Sequence, residues 1–377
     1  MAARTEPSPL AEILASQIRE RGRITFAEYM DSCLYHPQYG YYAKADQQAR
    51  RDYITSVDVS PVFGLLLARQ FHEMWTIFGQ PEQFWLMEAG AGAGALAKQI
   101  LDFAQESLGE FYAALKYIGV ERSAARRAAQ AAVLQTHLAM NRFSALAEMP
   151  NEIPCGCIFS NELFDAFPIH RVVRENRELR EIYVTLGGCG FSDEIGPLST
   201  PTLAEYFSEM EIELHEEQLT EVCLQACDWI ETAANRLQRG FVLTIDYGYE
   251  ARELYDGRHM RGTLLAYGRH RASEDFYRAP GEQDLTAHVN FTALDVWGRR
   301  GGLVRTGFAT QTNFLLALAR HGNFADLEYP GANEHEQTAA NLRFKTLVHP
   351  EGMGETFKVL AQHKGIEAPQ LAGFEPL

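Results

Sequence analysis

An α/β fold built on a doubly wound parallel sheet is what this sequence predicts, and two observations carry the prediction. Short apolar runs alternate with helical stretches from Phe84 to Tyr247, and the first run leads straight into the alternating glycines Gly90, Gly92 and Gly94. The length of 377 residues, with 46% hydrophobic and 22% charged residues, allows one large core with an accessory lobe or two domains.

The elements follow in order. Leu10, Ile13, Leu14 and Ile18 recur at helical spacing over residues 9–21, and Gly22 is a stop signal. After Thr25, Phe26 to Leu34 reads as a second helix, and His36-Pro-Gln-Tyr-Gly-Tyr-Tyr42 as an aromatic-rich turn. A third helix follows Ser60-Pro61, where Ser can cap and Pro can take the first helical position. Residues 1–80 therefore read as a helical N-terminal region, and 81–377 as an α/β core with insertions near 168–215 and 257–305.

Within the core, Phe84 to Glu88 is the first strand and Leu96 to Phe103 its helix; Lys116 to Glu121 is the second, followed by a helix from Ala124 to Leu138. Cys157 to Ser160 and Phe241 to Tyr247 are further buried strands, the latter preceded by a helix expected from Thr220 to Gln238. His170 to Val173 and Leu179 to Leu186 flank polar Glu175-Asn-Arg177 and predict a β-hairpin. The Gly- and Arg-rich stretch Gly257 to Gly302 lacks periodicity and is expected to be an irregular, substrate-facing loop region. Two apolar runs around Pro350-Glu-Gly-Met-Gly354 predict a closing antiparallel pair within Phe344 to Leu360.

Composition narrows the function. Thirty-four basic against 50 acidic residues give a formal charge of −16, which opposes nucleic-acid or anionic-lipid binding and suits a cationic partner. No apolar run reaches the roughly 20 residues of a membrane span, and Met1 to Leu10 has no signal-peptide core, so no membrane insertion and a cytoplasmic location are expected. Six cysteines include no C-x-x-C pair and read as reduced, mostly buried thiols. His36, His170, His270 and His288 fall at no ligand spacing, so no metal is expected, and the absence of G-x-S-x-G leaves a serine hydrolase unsupported.

The glycine turn Glu88-Ala-Gly-Ala-Gly-Ala-Gly94 sits where a backbone can approach a cofactor closely. It satisfies the dinucleotide pattern as well, so NAD(P) or FAD rivals S-adenosylmethionine here, and a tight structural turn is the plainer alternative. Glu88 tilts the choice: its carboxylate would repel a pyrophosphate but can orient cofactor amines or ordered water. Glu121 is placed to accept both ribose hydroxyls of an adenosine, a role common to both cofactor classes, and Arg122 and Ser123 adjoin it. Asn161, Glu162 and Asp165 follow the central strand, where carboxylates could clamp a guanidinium or could belong to the capped first turn of a helix. Asp246-Tyr-Gly248 invites the same two readings, turn formation being favoured.

Taken together, Ile24 to Met30, Tyr35 to Tyr42, Asp52 to Ser56, Glu88 to Gly94, Ser160-Asn-Glu-Leu-Phe-Asp-Ala-Phe-Pro168, Asp246 to Gly248, Pro280 to Ala287 and Met353-Gly354 resemble, in order, the MidA family of class I methyltransferases, which comprises a mitochondrial complex I assembly factor and its bacterial relatives. The resemblance implies a Rossmann-like methyltransferase core with a helical N-terminal region and an inserted substrate-binding lobe. It further implies S-adenosyl-L-methionine as cofactor, contacts to it from Gly90, Gly92, Gly94 and Glu121, and an acceptor site lined by Asn161, Glu162 and Asp165. The expected activity is methyl transfer to an arginine of a protein substrate such as a complex I subunit. The alternatives are an NAD(P)/FAD oxidoreductase and a non-catalytic assembly chaperone that keeps the fold.

Overall fold

The computed structural model describes residues 8–43, 56–188, 190–268, 271–322, 324 and 334–377. Asp52 to Thr55 of the family-like motifs, Cys189 and His270 lie outside the described residues. The chain forms two compact units, one of Ile54–Leu163, Ile230–Gly248 and Trp297–Leu377, the other of Met1–Tyr53, Phe164–Trp229 and Tyr249–Val296. The units interleave along the chain, so its division does not fall at residue 80: the third predicted helix belongs to the same unit as the strands that follow it.

The first unit is built on strands β1 (Phe84–Ala89), β2 (Leu115–Val120), β3 (Phe143–Leu146), β4 (Gly156–Asn161), β5 (Gly240–Tyr249), β6 (Val304–Thr310) and β7 (Phe357–Lys364). Their spatial order is β3-β2-β1-β4-β5-β7-β6. The first five are mutually parallel, β7 runs antiparallel to β5, and β6 antiparallel to β7. The order reverses between β1 and β4. In an open α/β sheet the ligand crevice opens outside the carboxyl ends of strands at such a reversal, which is where the glycine turn and Asn161-Glu162 begin.

Burial explains why these strands are nearly continuous apolar runs. Leu86, Met87, Ile158, Phe159, Leu243 and Ile245 are all 2% exposed or less, as strands covered on both faces must be. Three helices matter for the site: α1 (Val62–Ile77), α2 (Ala95–Ser107) and α3 (Ala124–Val133). Ser60 Oγ accepts the Val62 N–H at 3.3 Å, with Pro61 in the cap position, and Ser123 caps α3 by accepting from the Arg126 N–H at 3.3 Å. The helix expected to run on to Leu138 breaks at Leu134, and a short helix, Gln135–Ala139, follows.

The second unit opens with the helices Pro9–Arg21 and Phe26–Tyr35. Ser8 caps the first, Gly22 ends it at φ +85°, and Thr25 and Glu28 form a capping box on the second. The hairpin forms from His170–Glu175 and Glu178–Gly187, and its two turn residues Asn176 and Arg177 take φ of +54° and +65°, a type I′ turn that matches strand twist. Gly190–Gly196 extends the sheet on one side and Leu219–Val222 on the other.

Three expectations fail on periodicity. Thr220 to Val222 is strand and the helix begins only at Leu224, because β-branched Thr220 and Val222 pair with Val172 and His170. The stretch from Gly257 to Gly302 is not irregular throughout: Leu265–Gly268, Arg271–Ser273 and Asp284–Thr286 form a three-stranded sheet, and Phe291–Arg300 is a helix. Strands of three or four residues leave no alternation long enough to read. At the end of the chain Glu334–Val348 is helix, and the antiparallel partners of β7 are the earlier strands β5 and β6.

Candidate active site

β1 delivers Glu88 at its end, and the chain then turns through Gly90, Gly92 and Gly94 at φ of +71°, +53° and +88° before entering α2. Such values cost an L-residue roughly 1–2 kcal/mol each, which is why this turn alternates glycine with alanine. A Cβ at Gly92 would meet nothing within 4 Å, whereas one at Gly90 would collide with Leu163 at 2.9 Å. Gly92 thus faces open space on the side a ligand would approach.

Four N–H groups of the turn are already committed. Gly90 and Ala91 donate to the Val120 carbonyl at 2.9 and 3.1 Å, Gly94 to Ala91 at 3.0 Å, and Gly92 to Glu121 Oε2 at 3.1 Å. A pyrophosphate cradle needs those N–H groups pointing outward. Here one is capped by a carboxylate, and a second carboxylate, Glu88, sits at the base of the turn. With the Gly92 N–H turned onto the Glu121 carboxylate, the turn opposes a dinucleotide's pyrophosphate and fits a cofactor held through its adenosine.

Glu88 is 5% exposed and accepts a 2.6 Å hydrogen bond from the Tyr117 hydroxyl. Burial pushes its carboxyl up to about 8, the Glu121 charge adds to the rise, and the Tyr117 bond opposes it. Burial, with the Glu88 carboxylate next, also holds the Tyr117 hydroxyl well above its ordinary value. Glu121 Oε1 accepts the Ser123 N–H at 2.8 Å, and Arg126 lies 3.9 Å from Oε2. Each carboxylate oxygen has two lone-pair directions, so both keep capacity for a ribose hydroxyl. Arg122 is exposed at the side-chain level, and its carbonyl, with that of Glu121, accepts from Arg127 Nη1 at 2.7 and 2.6 Å. Ser123 serves as the α3 cap.

The end of β4 holds the second group. No helix follows Asn161, which removes the helix-cap reading: Glu162 is an L-residue at φ +53°, and its N–H donates to the Ile245 carbonyl at 3.0 Å. Strain of this kind persists where the surroundings dictate it, and it gathers at functional sites. Glu162 Oε1 accepts from Asn161 Nδ2 at 3.1 Å and from the Ser56 N–H at 3.0 Å. Asp246, fully buried, accepts the Leu163 and Tyr247 N–H groups at 3.1 and 2.9 Å, so it fixes the backbone beside Glu162; Asp246 to Gly248 lie within β5 and form no turn, against the turn reading.

Asp165 falls outside the unit that holds Glu162. It lies in the second unit, 1% exposed, where its carbonyl accepts the Ala287 N–H at 3.1 Å and its charge raises the Tyr267 hydroxyl after burial does. Sequence reasoning missed Gln130, Tyr117 and Ser56. The signal for Gln130 was a polar residue among the alanines of its helix, for Tyr117 a hydroxyl inside an apolar strand, and for Ser56 its place at the end of the family-like run Asp52 to Ser56.

With its strand order, glycine turn and paired carboxylates in place, the chain belongs to a family of S-adenosyl-L-methionine-dependent methyltransferases, whose model matches residues 66–309. It is similar to the mitochondrial protein arginine methyltransferase NDUFAF7 of Mus musculus, 27% identical over 94% of this chain and 84% of that protein, and to the Homo sapiens protein of the same name, 28% identical over 94% and 83%. Among solved structures it is similar to a Burkholderia thailandensis protein bound to S-adenosyl-homocysteine, with 30% identity, a TM-score of 0.87 and coverage of 98% and 97% of the two chains. The cofactor is S-adenosyl-L-methionine, and the oxidoreductase alternative is set aside. When bound, it supplies a methyl group on a positively charged sulfur.

The expected cytoplasmic location does not stand, because the curated relatives are mitochondrial proteins. Lack of an apolar signal core and of a spanning segment excludes neither compartment. Among the described residues no helix is long and apolar enough to cross a membrane.

Proposed function

We propose that this methyltransferase acts on an arginine side chain of a protein, with a complex I subunit as the candidate acceptor that the family resemblance implies. The observation that carries the reading is Glu162, a carboxylate held at the end of the central strand in a strained conformation and fixed by Asn161 and Ser56. Its support from relatives is that the curated proteins similar over 94% of the chain are named protein arginine methyltransferases.

The chemistry explains why a carboxylate belongs there. Arginine stays protonated near neutral pH, so its guanidinium must approach a second cation, the cofactor's sulfonium. Two unit charges 4 Å apart repel by about 4 kcal/mol at an effective dielectric of 20, and a nearby carboxylate offsets that repulsion. Charge-assisted bonds to the planar guanidinium also fix the line along which its nitrogen meets the methyl carbon. In this account Glu162 neutralises and aligns, Asn161 orients Glu162, and Gly90, Gly92, Gly94 and Glu121 hold the cofactor with Glu88 beneath them. A formal charge of −16 favours a basic protein partner over nucleic acid.

Incubation with methyl-labelled S-adenosylmethionine and the purified complex I subunit homologue, beside its arginine-to-lysine variants, tests the proposal. Label should vanish when the acceptor arginine is replaced. Label that survives replacement of every arginine, or that enters only lipid, nucleic acid or small molecules, refutes it.

A further inference from the structure

Gly92 has no packing neighbour on its open side, so something other than packing must hold its backbone at φ +53°. Two hydrogen bonds do so from opposite ends. The N–H donates to Glu121 Oε2 at 3.1 Å, and the carbonyl accepts from Gln130 Nε2 at 2.8 Å. Gln130 is fully buried, the one buried residue of α3, in a position where a polar side chain is costly unless it is used.

The surroundings are shaped to this side chain. A Cβ at Gly94 would lie 3.2 Å from Gln130 Cγ and 3.4 Å from its Cα, and a Cβ at Gly119 would lie 2.8 Å from Gln130 Oε1. Two glycines on two different segments therefore leave room for one glutamine. Its Oε1 has no hydrogen-bond partner among the described residues, a cost an apolar residue of equal size would avoid.

We propose that Gln130 is a positioning residue for cofactor selection: by gripping the Gly92 carbonyl it fixes the Gly92–Ala93 peptide and so locks the backbone of residue 92 in the conformation whose N–H, on the preceding peptide, faces Glu121 and not the ligand. With the N–H turned inward, the turn loses a donor that a phosphate would require, and Glu121 is held at the height where an adenosine ribose meets it. A leucine or methionine at this position would fill the space but release the peptide to rotate. The inference concerns cofactor recognition alone and does not depend on which acceptor is methylated.

Calorimetric titration of the full chain with S-adenosyl-homocysteine tests it, using Gln130→Met and Gln130→Glu. The Met variant, nearly equal in volume and without a donor, should bind about tenfold more weakly, the factor that corresponds to losing one hydrogen bond at the strong end of its usual range. The Glu variant supplies a readout that packing does not give, because a carboxyl donates to the Gly92 carbonyl only when protonated. Its affinity relative to wild type, measured at the same pH so that the pH dependence common to both proteins cancels, should approach one near pH 5.5 and fall about tenfold or more by pH 8.5. Unchanged affinity in a folded Met variant overturns the proposal, and so does a Glu-to-wild-type ratio that is flat with pH. Should the Met variant fail to fold, the pH course of the Glu variant decides alone.

Discussion

Replacing Glu88 with Gln should make the cofactor-free protein more stable as the pH rises. The carboxyl is buried at the end of β1 and holds its proton to about 8 in the folded chain, against an ordinary value of 4.5. Below pH 4.5 both folded and unfolded chains carry the proton, and the contribution of the neutral group to stability is complete. Above it the unfolded chain ionises while the folded chain does not, so stability falls by about 1.4 kcal/mol per pH unit until the folded group titrates as well. Over the interval from 4.5 to about 8 the loss is on the order of 5 kcal/mol. Glutamine keeps an oxygen to accept the Tyr117 hydroxyl and has no proton to lose. Guanidinium unfolding of both proteins at pH 5, 6, 7 and 8 gives the difference directly. The variant's advantage should widen with each step, and midpoints that move in parallel across this range would refute a proton held on Glu88.

Two further substitutions probe the acceptor end and the second unit. Glu162→Gln should leave S-adenosyl-homocysteine affinity unchanged and lower turnover about a hundredfold, the equivalent of about 2–4 kcal/mol for losing a charge-assisted partner; equal turnover in a rate assay with the labelled acceptor would remove Glu162 from the reaction. Arg177→Gly relieves an L-residue at φ +65° in the hairpin turn and should raise stability by about 0.5–1 kcal/mol, read as a higher denaturation midpoint with an unchanged slope.

The parts of the fold that could be read from the residues are those where one physical demand acts alone. Strands covered on both faces must be apolar throughout, so β1, β2, β4 and β5 stand out within a residue or two of their ends. A hairpin turn with two left-handed residues wants polar, turn-tolerant side chains, and Asn176-Arg177 between apolar runs marked it. The parts that could not be read depend on distant partners. The strands at Leu265–Gly268 and Asp284–Thr286 are too short to show alternation, and their pairing joins residues nearly twenty apart. Asp165 lies three positions from Glu162, yet no spacing rule foretold that the chain would pass into the other unit at Phe164 in place of entering a helix. Gln130 could be found only after its helix was set against the glycine turn, because its importance lies in the Gly92 carbonyl it meets.

A titration of wild type and Gly92→Val with S-adenosyl-homocysteine and with NAD tests most directly whether the glycine turn seats S-adenosyl-L-methionine. A branched residue at φ +53° is strained and places its methyl groups in the space that Gly92 leaves open, without touching the sheet beneath. Wild type should bind S-adenosyl-homocysteine at one site per chain and ignore NAD, and a folded Gly92→Val should bind neither. Tight NAD binding by wild type, or S-adenosyl-homocysteine affinity that survives in the folded variant, would contradict it.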